Sequence, residues 1–354
     1  MFDLNDVAAI HQADPQNMLG HILNLPQQLE DGWATAAAID LPPSFRAIDR
    51  VVIAGMGGSA IGGSLLAALM APVSTIPIAV VRDYDLPAFA IGSNTLVIAS
   101  SYSGDTEETL SVFEQARARE CQLLVTTTGG RLLELVHEFG VPFIQINDQS
   151  QPHVTLGWSL APLLNIASRL QWLHDLKDDL IEAVSVMRAW SRDLAAESPI
   201  AQNLAKREAG QLMGRIVFVF GAGYFAEVAR HWKGQLNKNA KAWAAFEVLP
   251  EADHHLLAGT DWPHEFSRQV MALFLTGRAD HPRNVKRAEL TRQMFMLAGC
   301  NTDMLIARGQ SPLAQMMALI HLGNFMSFYL ALLNGAEPAQ IDALANFKAA
   351  MTND

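Results

Sequence analysis

The sequence predicts an α/β fold of two doubly wound parallel sheets, each an α-β-α sandwich, joined by a helical linker and closed by C-terminal helices. Three observations carry this. Apolar, strand-like runs alternate with helical patterns from about Val51 to Leu170. A second set of similar layout starts at Ile216. Two of the strand-like runs lead through a glycine- or serine-rich turn directly into a helical pattern. Alternation of strand and helix at this spacing implies parallel sheets covered on both faces.

In the first half the expected strands are Val51–Ala54, Ile76–Val81, Leu96–Ala99, Leu123–Thr127 and Phe143–Ile146. Between them lie helical patterns at Ser59–Met70, Asp105–Arg119 and Leu132–Phe139. Leu156–Arg192 reads as helix and carries the chain between domains. The second half opens with a strand at Ile216–Phe220, a turn at Gly221-Ala222-Gly223 and a helix to about Leu236. Strands at Met271–Thr276 and Met304–Ala307 follow, with helices at Asn284–Leu297, Pro312–Leu333 and Pro338–Met351. The expected domains are 1–170, a linker over 171–210, and 211–354.

The chain has 354 residues, enough for two domains; half of them are hydrophobic and 17% are charged, so a large core can be buried. A net charge of −11 argues against nucleic acid and anionic membrane surfaces, which both require basic patches. Two cysteines, Cys121 and Cys300, form neither a disulfide framework nor a metal-ligand cluster. His254 and His255 lack the paired acid or cysteine that a metal site needs, so no metal and no cofactor are expected. No signal or transit peptide is visible, and a cytoplasmic location is expected. Met316–Leu333 is apolar all round but contains His321, Gly323 and Asn324, and is expected in the core or at a subunit interface.

The chemistry is concentrated in GMGGSAIGG (Gly55–Gly63) and SSYSGDTEET (Ser100–Thr109). Where a strand runs through such a turn into a helix, unpaired N–H groups and the helix dipole point at the turn, which makes an anion site. Gly57, Gly58 and Ser59 of the first turn, with Ser101, Ser103 and Thr106 of the second, are the candidate donors to one phosphate. Two alternatives remain at this stage. Gly55, Gly57 and Ala60 also fit a loose dinucleotide fingerprint, repeated at Gly221, Gly223 and Ala226. Serines that merely cap helices are the second.

These two turns, together with VVRDYDLP (Val80–Pro87), resemble the first half of the SIS (sugar isomerase) fold. The chain is most similar to the bifunctional phosphoglucose/phosphomannose isomerases. WKGQLNKNAK (Trp232–Lys241), LPEADHH (Leu249–His255) and Ser311–Pro338 resemble the same family in the same order. The resemblance implies a phosphorylated sugar as ligand, a homodimer, and aldose–ketose isomerisation through an enediolate. It also implies a glutamate base in the asparagine-rich motif and an arginine after a Gln-Pro pair that steadies the intermediate. A histidine from the neighbouring subunit and a lysine near the carboxyl terminus assist ring opening and sugar binding.

Carried over by residue, His254 falls on the histidine and Lys348 on the lysine. Lys238, between Asn237 and Asn239, stands at the glutamate position, and His153 at the arginine position. Asp105 replaces an asparagine and is expected to bring negative charge near the phosphate. Losing a general base costs about 10²–10⁴-fold in rate. Lys238 is expected to be solvated or salt-bridged; Glu247 and Glu251 are the alternative bases. The expectation is therefore a phosphosugar-binding protein with weak or altered isomerase activity, the alternative being a non-catalytic phosphosugar sensor or regulatory protein.

Overall fold

Before the first strand come helices α1 (Val7–Gln12), α2 (Met18–Leu23) and α3 (Leu25–Ala37), for which the strand-and-turn pattern gave no expectation. The computed structural model describes residues 2–148, 154–263 and 265–351. Carboxylates start the first two helices by taking up orphan N–H groups. Asp6 accepts from Ala9 N at 3.0 Å, and buried Asp14 accepts from Met18 N and Leu19 N at 2.7 and 2.8 Å.

Next come β1 (Arg50–Ala54), α4 (Gly57–Met70), β2 (Ile78–Val81), β3 (Thr95–Ser100), α5 (Glu107–Ala118), β4 (Gln122–Thr127), α6 (Gly130–Phe139) and β5 (Phe143–Gln145). The strands pair in parallel in the order β2-β1-β3-β4-β5. Alternation along each strand assigns the faces. Val52, Ala54, Val97, Ala99 and Val125 pack with Val112 and Phe113 of α5 and Leu132 and Leu135 of α6. Ile53 points the other way, toward α4, where a Cβ on Gly63 would lie 2.7 Å from its Cγ2. The chain thus leaves β1 over one face and β3 over the other. The order reverses between these two neighbours, and an open parallel sheet binds ligands at the carboxyl ends of such a pair.

The sequence suggested one helix over Leu156–Arg192, but there are two, α7 (Leu156–Arg169) and α8 (Lys177–Leu194). The break falls at Gln171, whose φ of +58° lies in the left-handed region. Helix α7 packs tightly on α3 and α4: a Cβ on Gly157 would lie 2.4 Å from Gln28 Cβ, and one on Gly62 would lie 2.5 Å from Ser159 O.

After α9 (Leu204–Leu212) come β6 (Ile216–Ala222), α10 (Tyr224–Lys238), β7 (Ala244–Leu249), β8 (Val270–Thr276), α11 (Pro282–Leu297) and β9 (Asn301–Ile306). They form a second parallel sheet in the order β7-β6-β8-β9. Strand β7 was absent from the expected set. Phe220, Phe274 and Phe295 fill the α11 face, with the first two stacked at 4.5 Å between centroids. Helices α12 (Pro312–Leu333) and α13 (Asp342–Met351) end the chain.

Helix α12 is long and apolar enough to cross a membrane, yet it is buried inside the fold. Its Gly323 admits the indole of Trp232, which donates to Leu319 O at 2.8 Å, and its Tyr329 donates to Leu194 O at 2.6 Å. Of the two expected destinations for this segment, the core is the one observed.

The chain forms two compact units, residues 24–185 with 311–313, and residues 1–23, 186–310 and 314–354. This grouping differs from the boundaries expected at 170 and 210, because long-range bonds hold the first residues to the second sheet's unit. Ile200 N donates to Asn5 Oδ1 at 2.9 Å, and Lys206 Nζ donates to Leu4 O at 2.6 Å.

Candidate functional site

The turns after β1 and β3 meet at the point where the strand order of the first sheet reverses. Gly55 lies against β3, since a Cβ there would sit 2.7 Å from Ser100 O. Gly57 adopts φ +51°, a conformation that suits glycine, and so lets the chain turn sharply into α4. Ser59 Oγ then accepts from Tyr102 N at 3.3 Å, which ties the first turn to the second.

Within the second turn, buried Ser101 accepts from Gly104 N at 3.1 Å and shares a 2.8 Å hydrogen bond with Thr106 Oγ1. Ser103 accepts from Asp105 N at 3.3 Å and is exposed. No side chain caps the start of α4 or of α5, because Met56 has no acceptor and the Thr106 hydroxyl is bound to Ser101. Two uncapped helix N-termini therefore follow two adjacent parallel strands, with the hydroxyls of Ser59, Ser103 and Thr106 in their turns. Ser101 shapes the turn from beneath.

Asp105 ties the second turn to the neighbouring helix. Its Oδ1 accepts from Arg131 N at 2.8 Å, at the start of α6. Surface depressions of about 680 Å³ beside Arg117 and Phe139 and about 360 Å³ beside Lys233 and Trp243 include no residue of the two turns.

The residues carried over for chemistry lie in the second sheet's unit, except His153, which falls outside the described residues. Helix α10 runs back along the strands, so Lys238 ends it at the amino edge of that sheet, where Val217 N donates to Trp243 O at 3.2 Å. His254 ends a short 3-10 turn (Glu251–His254) beyond the carboxyl end of β7, and its side chain is exposed. Asp253 anchors that turn to α11 through Arg287 at 2.9 Å and Thr291 at 2.6 Å. Within one protomer Lys238 and His254 therefore stand at opposite edges of the sheet. Lys348 is exposed on α13.

Lys238 makes no salt bridge with a described residue, so of the two expected states only partial solvation fits. It is half-buried and has no hydrogen bond or ion pair with any described residue; burial, then the charge of Lys233, pushes its amine below the ordinary lysine range. Buried His231, whose Nε2 lies 2.9 Å from Asn324 Oδ1, is held down to about 4 chiefly by burial, with Lys238 adding to the effect. Glu247 pairs in register with Phe220, and thus points to the face opposite α10; burial raises its carboxyl and His255 partly offsets this. Glu251 is exposed. Neither acid is placed to stand in for a base at Lys238. Among the described residues no group of three or more His, Cys, Asp or Glu could hold a metal ion.

Comparison with known proteins agrees with both sheets. Residues 44–146 match the SIS domain, and residues 201–351 match the bacterial phospho-glucose isomerase C-terminal SIS domain. The chain is 37% identical over 333 residues to a bifunctional phosphoglucose/phosphomannose isomerase of Caldicellulosiruptor bescii, covering 93% of this chain and 98% of that one. It is 33% identical over 311 residues to the protein of that name from Aquifex aeolicus, covering 87% and 92%. A solved structure of a hypothetical protein from Thermus thermophilus superposes with a TM-score of 0.74 at 18% identity, covering 98% of this chain and 94% of that one. Two SIS-type sheets in this order, matched over nearly the full length at such identity, place the chain in the bifunctional phosphoglucose/phosphomannose isomerase family.

Proposed function

We propose that the chain binds a phosphorylated hexose, with the phosphate held by Gly57, Gly58, Ser59, Ser103 and Thr106 over the scaffold of Ser101. The observation that carries this is the meeting of two uncapped helix starts at the strand-order reversal, joined by the bond from Tyr102 N to Ser59 Oγ. Backbone N–H groups and neutral hydroxyls suit a dianionic phosphate, which a chain of net charge −11 must attract locally. Titration calorimetry with glucose 6-phosphate, fructose 6-phosphate and mannose 6-phosphate tests the reading; heat of binding from at least one supports it, and none from all three contradicts it.

In this reading isomerase turnover is weak. An amine at Lys238 replaces the carboxylate that lifts a proton from carbon, and His153 replaces a guanidinium that would hold the enediolate. His254 and Lys348 remain as the ring-opening and sugar-binding groups. A site using both Lys238 and His254 draws the histidine from a second copy, because one protomer holds them at opposite edges of a sheet. The protein therefore works as a homodimer, in the cytoplasm. Light scattering at micromolar concentration should report twice the 38.6 kDa chain mass; a monomer would remove the shared site.

A further inference from the structure

Helix α13 (Asp342–Met351) buries none of its 10 residues. At about 100° per residue, Leu344, Phe347 and Met351 fall within about 60° of one another, while Asp342 and Asn346 lie on the opposite side. This is the pattern of a helix with one apolar face, and a helix this short is marginal in water unless that face is covered. Phe347 is 63% exposed, and Leu344 and Met351 are exposed with it.

The chain leading into α13 is fixed. Asn334 Nδ2 donates to Ala240 O at 3.0 Å, and Lys241 Nζ donates to Pro338 O at 3.3 Å and to Glu337 O. The Glu337 carboxylate accepts from Ala339 N at 3.1 Å and from Gln340 N at 2.6 Å. Lys241 also lines the depression of about 360 Å³ with Lys233, Asn237 and Trp243, all in the same compact unit as α13. Trp243 is 78% exposed there. An apolar helix face and an open tryptophan thus start from neighbouring points of one unit, and neither covers the other.

We propose that α13 of one copy seats its face of Leu344, Phe347 and Met351 on the Trp243 depression of a second copy. Because helix and depression adjoin through Lys241, a two-fold axis beside them covers both faces of both copies at once, as an isologous interface requires. Charge agrees with this occupant. Glu337 and Asp342 outnumber Lys348 on the helix and its lead-in, whereas the described residues lining the depression include Lys233 and Lys241 and no acid. Tryptophan and other aromatic anchors carry much of the energy of such contacts. Lys348, about 40° from Leu344 around the helix, is then held at the rim of the contact. The inference rests on the homodimer reading above and names the surface that makes the dimer.

The test measures the mass of the full-length protein by light scattering over a dilution series, for the wild type, Phe347→Glu and Trp243→Glu. Both substitutions alter exposed side chains and should leave the far-ultraviolet circular dichroism of the fold in place. Each should raise the dimer dissociation constant by about tenfold or more. A chain carrying both Trp243→Cys and Phe347→Cys should, on mild oxidation, give a covalent species of twice the 38.6 kDa chain mass, with the two substituted positions linked by peptide mapping. A link within one chain at monomer mass, or no link between these positions, overturns the inference. The wild type separates the two failures: a dimer that both glutamate variants leave intact overturns the docking of α13 alone, and a wild-type monomer overturns the homodimer reading with it.

Discussion

Ser101 and Thr106 share one 2.8 Å hydrogen bond, but they differ in exposure: Ser101 is 1% exposed and supports the turn, while Thr106 is half-buried. Replacing both by alanine removes a hydroxyl from the phosphate and the acceptor that fixes Gly104 N. A hydrogen bond to a charged group is worth about 1.5–3 kcal/mol, so calorimetry on the double variant should show affinity for a hexose phosphate lowered by about tenfold or more. Unchanged affinity would move the phosphate elsewhere. The residue types of these turns were legible in the sequence because strand, small polar turn and helix lie within a dozen positions of one another. The bonding of Asp105 and Lys238 was not. A capping bond to Arg131, 26 residues on, and the absence of a hydrogen-bond partner for Lys238 among the described residues are properties of the folded packing.

At the scale of elements, the glycines of α4 divide into two kinds. Gly57 shapes the turn, whereas Gly62 and Gly63 let α7 and β1 approach. Gly62→Val would place a Cβ 2.5 Å from a backbone carbonyl that cannot swing aside, and overpacking of this kind costs about 1–3 kcal/mol. Gly234→Ala in α10 meets open space and should gain up to about 1 kcal/mol from helix propensity. Denaturant melts of the two variants should therefore shift in opposite directions; a neutral Gly62→Val would show that α4 and α7 are not so closely packed. Packing against α7 and β1 is what distinguishes Gly62 and Gly63 from Gly57, and the sequence pattern alone does not show it. Strand β7 escaped notice because Glu247 sits among its apolar residues, on the face covered by the Glu251–His254 turn and α11. Strands buried on both faces, such as β3 and β8, read directly as apolar runs.

At the scale of the whole molecule, the two parallel sheets were legible because strand–helix alternation leaves a repeated pattern. The membership of residues 1–23 was not, since it depends on single bonds made across some 200 positions, such as Ile200 N to Asn5 Oδ1. One buried acid gives the second unit a pH signature. Burial and the neighbouring Asp303 raise the Glu208 carboxyl of α9 to about 7 from an ordinary 4.5, with Arg207 opposing. The folded state then binds more protons than the unfolded state between those values, so stability should fall as pH rises from about 4.5 to about 7 and level off above. Melting temperatures across that range should show the slope, and Glu208→Gln should flatten it. A slope unaltered in the variant would place the proton elsewhere.

In the proposed function, this member of an isomerase family keeps the phosphosugar site while Lys238 and His153 remove the usual means of moving a proton between carbons. Removing a general base costs about 10²–10⁴-fold, and two residues that act together need not contribute additively. The most direct measurement is a coupled assay of glucose 6-phosphate and mannose 6-phosphate interconversion with fructose 6-phosphate, run on the wild type, Lys238→Glu, and Lys238→Glu with His153→Arg. The wild type should be slow or inert and the double variant should gain turnover by about 10²-fold or more. Wild-type turnover of about 1–10³ per second, with no gain in the variants, would contradict the account and show that a carbon base survives elsewhere in the chain.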